Sequence, residues 1–200
     1  MTPSLLSPES LGDALRSSGF AAIEGLFDGG LLQAVREEAL ALHSAGQLQT
    51  ASTGRGAGKQ RAGLRGDSTL WLDDPACGEA AGDFLSALDE LRQRLNRELL
   101  LGLHEVEAHY ALYPAGAGYV RHRDRFRDDD ARVVSLVYYL NPHWPADAGG
   151  ALRLHLPDGP RDIAPRLGTT VLFLSDEIEH EVLPATQPRF SIAAWFRRRV

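Results

Sequence analysis

Three residues of this chain have the types and spacing to hold a metal ion. His122-Arg123-Asp124 closes the run Gly118–His122, which reads as a strand. Side chains two apart on a strand share a face, so His122 and Asp124 converge while Arg123 turns away. A protein metal site needs a third ligand, and His180 opens the later strand-like run His180–Leu183. Two histidines and one carboxylate form a facial triad that leaves three positions open on non-haem Fe(II). Zinc takes the same nitrogen and oxygen donors, and the triad alone does not separate the two metals.

Arg189 separates them better. It follows His180 in Pro188-Arg189-Phe190-Ser191, so a tight connection between two strands can bring both to one mouth of a sheet structure. A fixed guanidinium there can pair bidentately with a carboxylate remote from the metal. A dicarboxylic 2-oxo acid fits: its keto-acid end chelates Fe(II), its far carboxylate meets Arg189, and one position remains for O2. Tyr139, on the run Arg132–Leu140, can add a hydroxyl to the same carboxylate. Two other motifs fail. Gly54-Arg-Gly-Ala-Gly58-Lys59 is a residue short of a phosphate loop and has Gln60 in place of the magnesium-binding Ser or Thr. Arg65-Gly66-Asp67 spells an integrin-binding tripeptide with no other extracellular feature beside it.

The elements that would position these residues divide the chain in two. The first hundred residues read as helical. Ser7-Pro8-Glu9 is a helix start, Asp28 can cap a second helix carrying Leu31, Leu32, Val35, Ala39 and Leu42, and Phe84, Leu88, Leu91, Leu95 and Leu99 form the apolar stripe of a third. From Ser44 to about Thr69 the sequence is rich in Gly, Ser, Thr, Gln and Arg, and a loop of that length is functional or disordered. Beyond Val106, short β-branched and aromatic runs recur: Val106–Tyr113, Gly118–His122, Arg132–Leu140, Ala151–Leu156, Thr169–Leu174, His180–Leu183 and Phe190–Arg197. No helical pattern separates them, so a sandwich or barrel is expected.

Composition bounds the rest. Two hundred residues with 44% hydrophobic and 24% charged content make one globular domain. A net charge of −6 argues against non-specific nucleic-acid binding, which needs Lys and Arg against phosphates. The single cysteine, Cys77, excludes an internal disulfide and a cysteine zinc site. No run approaches the ~18 apolar residues of a membrane span, and Met1–Pro8 lacks the features of a signal peptide. A cytoplasmic, monomeric protein with no nucleic-acid or membrane partner is expected.

A family resemblance adds to these readings. Ala111-Leu-Tyr-Pro-Ala-Gly-Ala-Gly-Tyr119-Val-Arg-His122-Arg-Asp124 resembles the active-site strand of the hypoxia-factor prolyl hydroxylases and their bacterial relatives. Val137-Tyr-Tyr-Leu-Asn141-Pro-His-Trp144, Gly149-Gly150-Ala-Leu152-Arg153, His180-Glu-Val and Arg189-Phe-Ser-Ile-Ala-Ala-Trp195 follow in the same order. Upstream, Ala41–Gly46, Arg65-Gly-Asp67 and Trp71 extend the likeness, which covers roughly residues 20 to 197. It implies an α+β, mainly β fold: a double-stranded β-helix, jelly-roll or cupin-like, over residues 106–197, with residues 1–105 as helical support and 44–69 as a mobile loop. It implies Fe(II) held by His122, Asp124 and His180, and 2-oxoglutarate held by Arg189 and Tyr139 with Tyr113 and Leu152 lining the pocket. O2 is the third reagent, with ascorbate as an accessory. Arg132, Trp195 and Tyr119 resemble the residues facing the prolyl substrate, and Arg65 and Asp67 belong to the segment that closes over it, pairing with rim charges such as Arg132. The activity implied is proline 4-hydroxylation on a protein with release of succinate and CO2, and the bacterial relatives point to a translation factor such as elongation factor Tu. Glu179 and Ala193 depart from the family pattern, which has Pro and Thr there. The rival readings are a hydroxylase of another side chain or a small molecule, and a sensor of 2-oxoglutarate or iron without turnover.

The remaining candidates take ordinary readings. His43, His104, His143 and His155 are surface or packing histidines, and so is His109, although its strand could turn it inward. Asp128-Asp129-Asp130 and Arg197-Arg198-Arg199 are solvated runs, and Trp144 is a loop anchor.

Overall fold

The structure, a computed structural model, describes residue 7 and residues 11–51, 64–124 and 131–199. Pro8 and Glu9, the Gly54–Lys59 motif and Asp128–Asp130 lie outside the described residues. Among the described residues, three helices and eleven strands follow in order: α1 (Leu11–Ser18), β1 (Phe20–Glu24), α2 (Gly29–Ser44), β2 (Gln49–Thr50), β3 (Ser68–Trp71), α3 (Glu79–Leu99), β4 (Leu103–Tyr113), β5 (Tyr119–His122), β6 (Arg132–Tyr139), β7 (Leu152–Leu156), β8 (Gly159–Ile163), β9 (Thr169–Leu174), β10 (Glu179–Val182) and β11 (Arg189–Arg198). None of these helices is long and apolar enough to cross a membrane.

The strands form two antiparallel sheets. The larger runs β1-β9-β6-β11-β4-β3-β2, and the smaller runs β5-β10-β7-β8. Alternation along each strand divides the core. On β6, Val134, Leu136 and Tyr138 face the helices, while Tyr139 joins the cluster between the sheets. On β4, Ala108 and Tyr110 face the helices, and Ala111 and Tyr113 face inward. The helices cover the outer face of the large sheet with the stripe anticipated for α3 (Phe84, Leu88, Leu91, Leu95) and with Val35, Ala39 and Leu42 of α2. The Asp28 carboxylate caps α2 by accepting from the Gly30 and Leu31 amides at 2.7 and 3.2 Å, meeting two of the donors that a helix start leaves free.

This is the jelly-roll architecture, with differences from the sequence expectation. The first hundred residues are not all helical: β1 pairs along the edge of the large sheet with β9, and β3 extends its other end by pairing with β4. Phe20-Ala-Ala-Ile-Glu is too short to carry a helical period, and its partner decides its state. The stretch read as one long loop is bounded by β2 and β3, which pair with each other, and residues 52–63 lie outside the described residues. The strand β8 is not among the runs picked out in the sequence, and Gly159, Pro160 and Asp162 are turn formers; it is the edge strand of the small sheet, where proline is tolerated. Trp144 does anchor its loop, its indole N–H donating to the Gly149 carbonyl at 2.9 Å.

Candidate active site

The small sheet brings the triad together. Strands β5 and β10 pair so that His180 lies opposite His122, and Asp124 follows two residues beyond. His122, Asp124 and His180 present one ligand atom each within 4.8 Å of one another. Each histidine points Nδ1 at a backbone carbonyl, His122 at Val120 (2.7 Å) and His180 at Ile178 (3.3 Å). A carbonyl only accepts, so these contacts place the proton on Nδ1 and leave the Nε2 lone pair free. The two Nε2 atoms face the carboxylate at 3.5 and 3.6 Å. Burial pushes the His180 ring's pKa down, favouring the neutral ligand form. For Asp124, burial pushes upward, but the His180 and His122 rings and the Ser135 hydroxyl outweigh it and hold the carboxyl well below the usual range. Two lone pairs and a carboxylate aimed at one point form a donor set that a divalent cation completes. Tyr119 stacks on His122 with ring centroids 3.6 Å apart.

At the far end of the same cavity the charge is reversed. Arg189, only 1% exposed, opens β11 opposite Tyr113 of β4. Its Nε donates to the Gly150 carbonyl at 3.0 Å and Nη1 to the Ser191 hydroxyl at 3.3 Å, but Nη2 has no hydrogen-bond partner among the described residues. The guanidinium lies between the rings of Tyr139 (4.9 Å) and Tyr113 (5.2 Å). The Tyr139 hydroxyl is fully buried beside the guanidinium and has no hydrogen bond of good geometry among the described residues. An unpaired buried cation beside an unpaired phenol is costly unless an anion completes it. A ligand carboxylate would accept from both.

The cavity, about 120 Å³, is walled by His122, Asp124, His180, Arg189, Tyr113, Leu152, Arg132, Trp195, Tyr119 and Arg65. Of the residues singled out in the sequence, Tyr139 and Asp67 are not among those lining it, though each adjoins an arginine that is. Arg123 is exposed, as alternation predicted, yet its side chain reaches the cavity mouth. The Arg65–Asp67 pair departs from expectation. Instead of meeting rim charges, Arg65 binds Asp67 bidentately, at 2.7 and 2.5 Å, and Asp67 is 2% exposed. Arg132 is engaged elsewhere: it donates to Glu107 at 2.7 and 2.9 Å and lies 3.8 Å above the Trp195 ring. Arg132 on β6 and Glu107 on β4 flank β11, where they pair with Arg197 and Trp195, so the first contact is diagonal across the strand; Asp67 stands two residues from Arg65.

His109, given a packing role from the sequence with the note that its strand could turn it inward, does point inward. It is 4% exposed, lines the cavity, and sits between Trp71 and Trp195 with ring centroids at 5.2 Å from each. Burial, reinforced by the Arg65 cation, lowers its pKa to about 4. Alternation from Tyr113 through Ala111 to His109 was the available signal. Ser135 and Ser175 were passed over: Ser135 donates to Asp124 Oδ2 at 2.7 Å and lies 2.9 Å from the Ser175 hydroxyl. No spacing in the sequence announces that chain.

Comparison with known proteins agrees with this geometry. The profile described as the 2OG-Fe(II) oxygenase superfamily matches residues 108–197. Human Egl nine homolog 1 is 30% identical over 202 residues, covering 96% of this chain and 46% of that protein. The chain thus spans about half the length of that curated relative. Among solved structures, a Pseudomonas putida prolyl-4-hydroxylase superposes with TM-score 0.87 at 42% identity, covering 96% of this chain and 99% of the other. A Trichoplax adhaerens prolyl hydroxylase, in complex with a hypoxia inducible factor oxygen degradation domain peptide, superposes with TM-score 0.84 at 30% identity, covering 95% and 88%.

Proposed function

The chain belongs to the 2OG-Fe(II) oxygenase superfamily, among its prolyl hydroxylases, and on that premise we propose that it hydroxylates a prolyl residue of a protein substrate. Fe(II), 2-oxoglutarate and O2 are the reagents, and succinate and CO2 leave with the hydroxylated product. One observation carries the reading. A single cavity holds three converging donors suited to a divalent cation and, at its other end, a buried arginine suited to a carboxylate.

In this reading His122, Asp124 and His180 would hold the iron, each offering one ligand atom. Bound there, the ion supplies the redox chemistry that couples oxidative decarboxylation of the 2-oxo acid to oxygen insertion into a C–H bond. The Val120 and Ile178 carbonyls keep both Nε2 atoms unprotonated and aimed inward. Arg189 and the Tyr139 hydroxyl take the far carboxylate, which fixes the direction of the 2-oxo acid, and Tyr113 and Leu152 exclude water around it. At the mouth, Arg132, Trp195 and Tyr119 face the substrate. Arg65, locked by Asp67, is a fixed part of that mouth.

The test is incubation of the chain with Fe(II), 2-oxoglutarate and ascorbate against lysate proteins and against purified elongation factor Tu, the first target to try, followed by peptide mapping. One oxygen atom added to a proline, with stoichiometric succinate, supports the reading. Turnover on a free small molecule with no proline oxidised would overturn it. The same reading takes the chain as a monomer of the cytoplasm, which light scattering and cell fractionation can check.

A further inference from the structure

The two oxygens of the Asp124 carboxylate have different neighbours. Oδ1 lies 3.5 Å from His122 Nε2 and accepts no hydrogen bond from the described residues. Oδ2 lies 3.6 Å from His180 Nε2 and accepts from the Ser135 hydroxyl at 2.7 Å. Behind it, the Ser135 oxygen is 2.9 Å from the Ser175 hydroxyl. Ser135 is on the inward face of β6, Ser175 follows β9, and they are 1% and 0% exposed. Donor direction is settled by chemistry. An ionised carboxylate only accepts, so Ser135 spends its proton on Oδ2, and its oxygen is left to accept from Ser175. The chain therefore runs Ser175 to Ser135 to Asp124, and each bond polarises the next. It comes from strands β6 and β9 of the large sheet, whereas the ligands come from β5 and β10 of the small one.

We infer that Ser135, oriented by Ser175, is a positioning residue that keeps Asp124 a one-oxygen ligand, with Oδ1 committed to the metal and Oδ2 to the hydroxyl. This rests on the reading of His122, Asp124 and His180 as the metal centre. The consequence is the number of open positions. A triad of one-oxygen and one-nitrogen ligands leaves three, two for the 2-oxo acid and one for O2. A carboxylate chelating through both oxygens would fill one of them, and the cosubstrate and O2 could no longer both fit. The serine chain holds Oδ2 back at a site where the carboxylate would otherwise be free to rotate onto the ion.

Mn(II), which accepts the same donors, is the probe, and relaxation of water protons by the bound ion counts the waters directly attached to it. Wild-type protein should carry about three such waters, falling to about one with 2-oxoglutarate. Ser135→Ala should carry about one fewer in each state, so that water is nearly absent from the 2-oxoglutarate complex. Ser135→Thr keeps the hydroxyl on a strand that favours β-branching and should restore the wild-type counts. Ser175→Ala should shift them the same way as Ser135→Ala, but less. Should the alanine variant not fold, Ser135→Val, which has the shape of threonine and no donor, gives the same readout. Unchanged water counts in a folded Ser135→Ala or Ser135→Val protein would overturn the inference. Failure of the metal-centre reading looks different: wild-type protein would bind no Mn(II), or Asp124→Ala would bind it equally well.

Discussion

The two ends of the cavity are alike in burial and opposite in what they suit. At the His122–Asp124–His180 end, two lone pairs and a carboxylate converge on one point, a donor set for a cation. At the Arg189 end, a guanidinium and a phenol are buried side by side, a donor set for an anion. Each end is held in place by well-bonded surroundings: backbone carbonyls and Ser135 on one side, the Gly150 carbonyl and two tyrosine rings on the other. A folded protein keeps such groups because most of its stability comes from elsewhere, here from the helix-covered face of the large sheet. The lesson is that the two ends suit ligands of opposite charge, so they should respond differently to mutation and to ligand removal.

The largest effect should come from the metal end. Asp124→Ala removes the only anionic ligand, and 2-oxoglutarate turnover should fall below detection while circular dichroism of the fold is retained. Full turnover in that variant would remove Asp124 from the coordination sphere.

At the other end the effect divides in two. Arg189→Met deletes the partner of the cosubstrate carboxylate, and the KM for 2-oxoglutarate should rise about a hundredfold, in line with ~3 kcal/mol for a truncated buried charge pair. The ligand-free protein should nonetheless be as thermally stable as wild type or more so, because an uncompensated buried charge has been replaced by an apolar side chain of similar reach. A steep loss of apo stability together with an unchanged KM would make Arg189 a structural residue.

Acidification probes the buried rings. With its pKa lowered to about 4, His109 stays neutral in the folded chain while the unfolded chain takes up a proton below about 6.5. Its contribution to stability is therefore full above that value and is lost as pH falls from about 6.5 to about 4, by at most about 3 kcal/mol. His180, also lowered by burial, adds to the same loss. Urea unfolding of wild type and His109→Gln at neutral and at acid pH should show a smaller acid-induced loss in the variant. Parallel losses in both proteins would mean that His109 does not titrate in this window.

The smallest effect should isolate the Arg189 end. Gly150 has φ 70°, and a Cβ there would stand 2.7 Å from Trp144 Cζ2 and 2.9 Å from Ala185 Cβ. Gly150→Ala must displace the carbonyl that orients Arg189, at a strain of about 1–2 kcal/mol, and should raise the KM for 2-oxoglutarate about tenfold. Calorimetric Mn(II) affinity should stay unchanged; a matching loss there would show that the two ends are coupled.

Much of this was legible in the chain itself because it depends on local rules. The two-residue step from His122 to Asp124, the cap at Asp28, the stripe on α3 and the alternation on β4, β6 and β11 follow from backbone geometry alone. Residue types marked His180 and Arg189 as partners for a metal and an acid. Where no local rule applied, only the tertiary structure decided. Pairing made strands of Phe20–Glu24 and Gly159–Ile163, whose compositions suit other states. Register across β4, β11 and β6 matched Arg132 with Glu107 and drew His109 in beside Trp195. Ser135, Ser175 and Asp124 meet through contacts 11 and 40 residues apart in the chain, and no pattern of spacing encodes such a meeting. Sequence determines which chemistry a residue carries and which face of its own element it takes. Which residue stands on the far side of a cavity is set by long-range pairing, and that pairing created two ends suited to opposite charges.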